Sequence, residues 1–396
     1  MIDPKEIGVL HTITKDRNFD GKLFRYKEDF IVQEIELDGT VLSTDREQYQ
    51  TQLPKEKKDF LTATLVKEGL STHEALGLLS RENHLSITRL GYLGNKDRNA
   101  ITSQRISIFK VTPERIKTSY QKMFLRDLAY GESACKIGAL KGNHFTIRIR
   151  DFNGFERLGD FVEEIKKGIP NFYGPQHFGA SALNIKISES IIKRDFKDAV
   201  LKFIFDEREE SEKFAESRLK LKDVFWEWLG DAAEIDRSSA EETLSSVPGF
   251  LRAEKNMLFH LLENKHDYIG ALRIVPKFLR LLILQAFQSY NFNLLVSELM
   301  AGGELPDELP TIGYDIQRTK YGDLAMSIAG RSGVGGPSIL EIKEMPEVSL
   351  KSFNRPARIY PKNLGYKMDV NDLILSFELD KGAYATVLLF EMFRHF

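Results

Sequence analysis

The sequence predicts an α+β protein in which a mixed, largely antiparallel sheet is interrupted by a helix-rich insertion. Strand-like alternation of apolar residues occurs towards both ends of the 396-residue chain, whereas helix-forming residues dominate from about 185 to 300. With 42% hydrophobic and 29% charged residues, the chain reads as globular, with room for more than one domain. We therefore expect a core domain of residues 1–184 plus 347–396 around an insertion domain of residues 185–346.

The first half supplies most of the predicted strands. Phe30–Ile35 and Phe60–Val66 alternate like half-buried strands, and the polar residues 44–59 between them predict a mobile loop. Ser71–Glu74 has the pattern of a capping box, which predicts a helix through Leu79. The same alternation predicts two further strands, Ile106–Ile108 and Phe145–Ile149.

The second half is helical and then returns to strand. A long helix is predicted between Pro276 and Gly302, because proline favours the first turn of a helix and glycine its end. The glycine-rich residues 330–336 form a loop that lacks both the GxGxxG pattern and the lysine of a phosphate loop, so no nucleotide site is indicated. The closing elements are a strand at Leu373–Phe377 and a helix from about Tyr384.

Several classes of site have no support in the sequence. The single cysteine, Cys135, rules out an internal disulfide framework and a multi-cysteine zinc site. His73 begins a zincin-like pattern, but no second histidine follows at the required spacing. The longest apolar run, Phe278–Phe287, is too short to span a bilayer. We expect a cytoplasmic protein, with the monomer favoured, that uses no metal, no nucleotide cofactor and no membrane.

Positive charge is concentrated in one region. Residues 84–150 contain thirteen Lys and Arg against four acids, a net charge of +9, whereas the whole chain carries −2 and its remainder therefore −11. Such a region suits a structured RNA partner, because phosphate contacts supply affinity and register. The alternative is that these cations are scattered over the solvent faces of strands.

Asp97 is the strongest candidate for a catalytic side chain. It lies between Lys96 and Arg98 in the glycine-punctuated stretch Gly91–Gln104. The two cations would keep a carboxylate ionised and would attract phosphate, which suits covalent chemistry on a nucleotide. The alternative is a solvated surface turn with a charged tip.

Five further motifs accompany this one in a recognisable order. Gly94–Arg98, followed by Ala100, Thr102 and Gln104, resembles the central motif of the TruD family of tRNA pseudouridine synthases. The other motifs of the resemblance are Glu28–Val32, Gly138–Thr146, Pro170–Gly179, Gln288–Asn293 and Ser376–Thr386. Together they span nearly the whole chain, which makes the set far more specific than any one motif.

The resemblance implies a pseudouridine-synthase catalytic core interrupted by a TruD-specific domain. It also implies isomerisation of uridine to pseudouridine in tRNA, at uridine 13 of the D arm, without a cofactor. Asp97 would be the catalytic carboxylate, Tyr173 the aromatic that stacks on the uracil, and Asn171 a residue that orients base or ribose. Taken by themselves, Tyr173 also fits a core position and Asn171 a turn.

Three more residues are implied with weaker support. Lys141 and Asn143 resemble residues at the edge of the family's site, although strand-end solvation would explain them equally well. Many members carry a lysine on the first strand at the position where an ungapped match places Phe24, with Arg25 beside it. Either Arg25 takes that role through a local shift, or the basic group is absent.

Two other functions remain open from the sequence. One is a non-catalytic RNA-binding protein that retains the synthase fold, against which the intact triplet around Asp97 argues. The other is a carboxylate-dependent nuclease or glycosidase, for which paired acids or metal-binding residues near Asp97 would be expected, and none is evident.

Overall fold

The computed structural model describes residues 2–46, 57–206 and 212–395, and the chain divides into two compact units. The sheet unit comprises Thr14–Ile169 and Ile359–Phe393, and the helical unit comprises Met1–Ile13, Pro170–Arg358 and Arg394–Phe396. The predicted domain boundaries at 184/185 and 346/347 remain a prediction. Most of the predicted loop at 44–59 lies outside the described residues.

Thirteen strands and eleven α-helices occur in the described parts of the chain. The strands are β1 (Asp20–Lys22), β2 (Phe30–Ile35), β3 (Phe60–Glu68), β4 (Leu90–Tyr92), β5 (Ile101–Phe109), β6 (Met123–Gly131), β7 (Gly142–Asn153), β8 (Ile169–Pro170), β9 (Glu308–Pro310), β10 (Asn354–Pro356), β11 (Arg358–Ile359), β12 (Lys362–Asp369) and β13 (Asp372–Asp380). The helices are α1 (Thr72–Glu82), α2 (Leu158–Ile165), α3 (Leu183–Ile192), α4 (Phe196–Phe205), α5 (Glu212–Leu229), α6 (Arg237–Ser246), α7 (Arg252–Glu263), α8 (Tyr268–Ile274), α9 (Lys277–Ala301), α10 (Lys320–Gly330) and α11 (Ala385–Phe393).

One large sheet organises the sheet unit. Its strand order is β12-β13-β7-β2-β5-β3-β6, with β1 paired to β7 and β4 paired to β5. The pair β2–β5 is parallel, and the other pairs of this sheet are antiparallel. The predicted α+β class with a mixed, largely antiparallel sheet is confirmed.

Apolar residues of the central strands form the core of this sheet. The β7–β13 register places Phe145 opposite Phe377 and Ile147 opposite Leu375, and all four side chains are buried. On α1 the Ser71 hydroxyl accepts the N–H of Glu74, while the Glu74 carboxylate accepts the N–H of Ser71, so the predicted capping box is confirmed. Helix α1 then packs Leu76 and neighbouring apolar residues onto the cluster formed by β3 and β5.

The predicted long helix is α9, which runs from Lys277 to Ala301 between the predicted limits. It packs against α3 and α10 in the helical unit. Neither α9 nor any other described helix is both long and apolar enough to cross a membrane.

Candidate active site

Asp97 lies in the connection between β4 and β5, and neighbouring elements fix the backbone of that connection. The N–H of Lys96 donates to the Thr72 hydroxyl at the start of α1 (2.9 Å), and that hydroxyl donates to Oε1 of Gln104 on β5 (3.0 Å). Nε2 of Gln104 in turn donates to the carbonyl oxygen of Gly94 (3.1 Å). The turn is therefore held in one shape, while Asp97 itself remains exposed to solvent.

A buried lysine supports the same turn from β3. Lys67 is 1% exposed, and its Nζ donates to the carbonyl oxygens of Leu70 (2.6 Å), Lys96 (3.3 Å) and Asp97 (2.9 Å). An ammonium group has three N–H donors, so these three carbonyls satisfy it completely. Lys67 thus joins the end of β3 to Asp97, the predicted catalytic residue.

Burial and charge act in opposite directions on these two groups. Asp97 keeps solvent contact, yet the surrounding protein partly desolvates its carboxylate, which raises its pKa; the positive charge of Lys67, and then that of Lys96, opposes the rise. Burial lowers the pKa of Lys67 to about 8, with the Asp97 charge opposing. Lys67 is therefore the cation with the greatest influence on Asp97.

The sequence neighbours of Asp97 have other partners. Nζ of Lys96 donates to Oε2 of Glu34 at 2.6 Å, with the two side chains 3% and 0% exposed. Burial raises the pKa of Glu34, and both Lys96 and a hydrogen bond from the N–H of Arg105 (2.8 Å) oppose that rise. Arg98 is exposed and lies 3.4 Å from Glu74. Both predicted cations are present at the turn, but neither forms an ion pair with Asp97.

Asn143 and Lys141 lie at the same end of the sheet as the Glu34–Lys96 pair. Asn143 on β7 is directly opposite Glu34 on β2, so the two side chains share one face. Its Oδ1 is buried and has no hydrogen-bond partner among the described residues, which leaves it able to accept a bond from a ligand. Lys141 is exposed, and its N–H donates to the carbonyl oxygen of Ile35 at the end of β2.

Arg25 is not brought to these residues by any contact. It lies in an exposed bend between β1 and β2. Within the described ranges it forms no hydrogen bond or ion pair, so its role remains a prediction.

Tyr173 and Asn171 belong to a separate cluster in the helical unit, organised by Arg355. The Arg355 guanidinium donates to Oδ1 of Asn171 (2.9 Å) and lies 4.0 Å from the centroid of the Tyr173 ring. Nδ2 of Asn171 donates to the carbonyl oxygen of Pro356 (2.8 Å). Tyr173 is 6% exposed and burial raises its pKa, so the phenol is neutral at physiological pH.

Helix α9 holds Tyr173 in place. Oδ1 of Asn293 accepts the N–H of Tyr173 (2.7 Å), and its Nδ2 donates to the carbonyl oxygens of Tyr173 (3.0 Å) and Ile7 (2.8 Å). The ring also meets Phe292 and His177 edge-on, with centroids 5.5 Å and 4.8 Å away. Burial, and then the charge of Arg355, lower the pKa of His177 to about 4, so this imidazole is also neutral.

Two residues of these clusters were missed from the sequence, Lys67 and Arg355. Lys67 did leave a signal: it continues the inward alternation of Leu61, Ala63 and Leu65 on β3, so a charge falls on a buried face. Arg355 left none, because 184 positions separate it from Asn171.

Comparisons with known proteins show the family of the chain. The family model described as tRNA pseudouridine synthase D (TruD) matches residues 6–310 and 299–392. A probable tRNA pseudouridine synthase D of Methanopyrus kandleri is 31% identical over 76% of this chain and 77% of that protein. One from Methanococcoides burtonii is 26% identical over 98% and 97%. A crystal structure from Methanosarcina mazei, assigned to TruD, superposes with a TM-score of 0.72 and 26% identity over 100% of this chain and 99% of that one.

Proposed function

Because the chain belongs to the tRNA pseudouridine synthase D (TruD) family, we propose that it converts uridine 13 in the D arm of tRNA to pseudouridine, with Asp97 as the catalytic carboxylate. Family membership supports the coarser statement, a tRNA pseudouridine synthase. The position in the tRNA and the roles of individual residues are the proposal. We expect the enzyme to act as a monomer in the cytoplasm, where its substrate is found.

The reaction needs a nucleophile or base but no external oxidant or energy source. Uridine and pseudouridine are isomers: the N1–C1′ bond breaks, a C5–C1′ bond forms, C5 loses a proton and N1 gains one. A carboxylate can attack C1′, attack C6, or remove a proton from the ribose. Each of these routes requires Asp97 to be ionised.

The observation that carries the proposal is the way Asp97 is presented. Its backbone is fixed by Lys67, Thr72 and Gln104, while its side chain stays open to solvent. A reacting group held by its supports loses little entropy when the substrate arrives. A solvated surface turn would not need a buried ammonium donating to two of its carbonyls, those of Lys96 and Asp97.

The remaining roles divide between base recognition and RNA contact. We assign Tyr173 to stacking on the flipped uracil and Asn171 to orienting base or ribose. Arg355 covers part of the Tyr173 ring, so the base would use the rest of that ring. The exposed cations Arg98, Lys141 and Arg25 would meet phosphates.

Asn143 on β7 and Lys96 in the turn complete the proposed site. The orphaned Oδ1 of Asn143 would accept a hydrogen bond from the RNA. Lys96 would act mainly by holding the turn through Glu34, and its direct contact with substrate stays a prediction.

Asp97→Asn tests the proposal against the RNA-binding alternative. The change removes a nucleophile or base but almost no volume, so pseudouridine formation should disappear while tRNA affinity stays within a few-fold. Asp160→Asn, at an exposed position on α2, is the matched control and should remain active. Pseudouridine is mapped in a tRNA carrying uridine 13 and in one carrying cytidine there. Product from Asp97→Asn, or modification at another position, would refute the respective part of the proposal.

A further inference from the structure

The sheet unit contains a second basic feature, at the end of β5 opposite to Asp97. A cavity of about 840 Å³ is lined by five cationic side chains, Lys57, Lys58, Arg89, Lys110 and Arg115. Asp59 is the one acid in its lining, and Lys58 pairs with Glu132 nearby. The cavity therefore carries an excess of positive charge without help from the proposed catalytic residues.

Most of the other cations of residues 84–150 form ion pairs, so the unpaired positive charge of this region is concentrated at the cavity. Of the thirteen cations in residues 84–150, seven form ion pairs with acids in the described chain: Lys96, Arg98, Arg105, Lys117, Arg126, Arg148 and Arg150. The other six form no such pair with a described residue, and three of them, Arg89, Lys110 and Arg115, line the cavity. The basic region predicted from the sequence is thus largely neutralised outside this cavity and a few isolated positions.

Two of the cavity's cations are held in defined positions. Nε of Arg89 donates to the carbonyl oxygen of Phe109 (2.8 Å), and its NH2 also donates to that of Lys110. The N–H of Lys110 donates to the carbonyl oxygen of Asp59 (2.7 Å), and its backbone adopts a left-handed φ of 51°. That conformation is costly for a lysine and fixes where its side chain leaves the backbone.

The distance to Asp97 suits a large substrate. Strand β5 is nine residues long, which at about 3.3 Å per residue is roughly 30 Å; Asp97 lies four positions before its first residue and Lys110 directly follows its last, so the two lie towards opposite ends of the strand. A single nucleotide cannot reach both places, but a folded tRNA can. Apart from Leu85 and Val111 the lining is polar or charged, which suits phosphate better than an apolar ligand.

We propose that this cavity binds the phosphodiester backbone of tRNA at a point remote from the target uridine. The inference rests on the proposed function, because it takes tRNA as the substrate. The contact would supply affinity and register without touching the reacting base.

The test neutralises the three exposed cations of the cavity together, in Lys57→Gln/Lys110→Gln/Arg115→Gln. We expect KM for whole tRNA to rise about tenfold or more at physiological salt, with kcat unchanged at saturation. The slope of log affinity against log salt should fall by roughly 0.7–0.9 for each lost phosphate contact. Lys167→Gln/Lys220→Gln/Lys343→Gln, which removes the same charge from exposed positions with no ion pair in the described chain, should leave KM within about twofold.

A short stem-loop RNA that contains the target uridine separates a remote contact from a local one. It should bind the wild type and the triple variant equally, because it does not extend to the cavity. Affinities are measured in an Asp97→Asn background, so that they do not depend on turnover, and melting curves verify folding. If the triple variant melts early, the three single substitutions replace it.

Each result discriminates. If the triple variant binds whole tRNA with unchanged affinity and salt slope, the proposal is overturned. The cavity would then bind an anionic partner other than tRNA. An equal loss in the control triple variant would show that only net charge matters, and an equal loss on the short RNA would place the effect near Asp97. If the wild-type protein modifies no tRNA, the proposed function itself fails, independently of the cavity.

Discussion

Nζ of Lys67 lies 2.9 Å from the carbonyl oxygen of Asp97, so a buried cation on β3 supports the backbone of an exposed acid that precedes β5. The same ammonium donates to two further carbonyls and is the leading cation acting on the Asp97 carboxylate. Lys67 therefore both positions the turn and favours the ionised form of Asp97. These two effects can be separated experimentally through pH.

Lys67→Met should move the acidic limb of the pH–activity profile to higher pH. Burial already raises the pKa of Asp97, and the Lys67 charge is the main influence that lowers it, so removing that charge raises it further. Because the proposed reaction needs ionised Asp97, activity below the midpoint of the limb should fall most and activity at neutral pH least. The measurement is kcat/KM from about pH 4.5 to 8.

Lys122→Met removes a lysine from an exposed position just before β6 and should leave the acidic limb in place. A loss of activity by Lys67→Met that is equal at every pH would instead mean that Lys67 acts only through the shape of the turn.

The Glu34–Lys96 pair should be costly to break from one side. Lys96→Met leaves a carboxylate that is 0% exposed with only the N–H of Arg105 as a charge-independent partner, and we expect a loss of about 3–5 kcal/mol in the free energy of unfolding. Glu34→Gln/Lys96→Met should recover part of that loss, because no charge is then buried.

The deficit of Lys96→Met should also grow with pH. A carboxyl group whose folded-state pKa is raised contributes stability at low pH and loses it as the pH passes through that pKa. Urea unfolding at pH 5 and pH 8, followed by circular dichroism, measures both effects. Tryptophan fluorescence would not report on unfolding of the sheet unit, which contains Glu34 and Lys96, because Trp226 and Trp228 both lie in the helical unit. Equal free energies of unfolding for Lys96→Met and Glu34→Gln/Lys96→Met would contradict the prediction that the unpaired Glu34 carboxylate causes the loss.

Substitutions of Tyr173 should distinguish stacking from packing. Tyr173→Phe keeps the ring beneath Arg355 and should lose little activity, whereas Tyr173→Leu loses stacking worth about 1–3 kcal/mol per base. That corresponds to about five- to 150-fold in kcat/KM if the stacking is fully expressed in the transition state. Melting curves accompany the assays, because Tyr173 is buried. Loss of activity only in step with loss of folding would assign Tyr173 to the core.

Chelation should leave the enzyme active. No three potential ligands among the His, Cys, Asp and Glu side chains of the described chain come together in a way that could hold a metal ion. We expect EDTA to reduce pseudouridine formation less than twofold when tRNA folding is maintained with monovalent salt. Complete loss that only a divalent ion restores, with tRNA folding intact, would favour a metal-dependent mechanism.

Local patterns predicted those elements whose stability is local. The strands β2 and β3 and the capping box of α1 follow from patterns of neighbouring residues, and the structure confirms all three elements. Strand β3 is, however, buried on both faces from Ala63 to Lys67, so the predicted half-burial is wrong there. Strand β12 was missed because it lies at the edge of the sheet and most of its residues are exposed. Its sequence therefore lacks the alternation of apolar and polar residues that indicates a strand with one buried face.

The electrostatics of the site depended on residues distant in sequence. Lys96 and Arg98 were expected to act directly on Asp97 because they adjoin it, but consecutive side chains in a turn point in different directions. Lys96 reaches Glu34, 62 positions away, while Lys67, 30 positions away, reaches Asp97. Family motifs indicated the candidate positions, whereas only the tertiary structure identified their partners.

The pairing of β13 with β7 can form only late in synthesis, because the two strands are far apart in the sequence. The 189 residues of Pro170–Arg358 are translated after β7 and before β13, which at about 5–20 residues per second takes roughly 10–40 s. During that interval the edge of β7 that later pairs with β13, along which Phe145 and Ile147 lie, has no strand beside it. An unpaired apolar edge invites pairing with other chains, so a nascent protein that stalls before β13 would depend on chaperones to stay soluble.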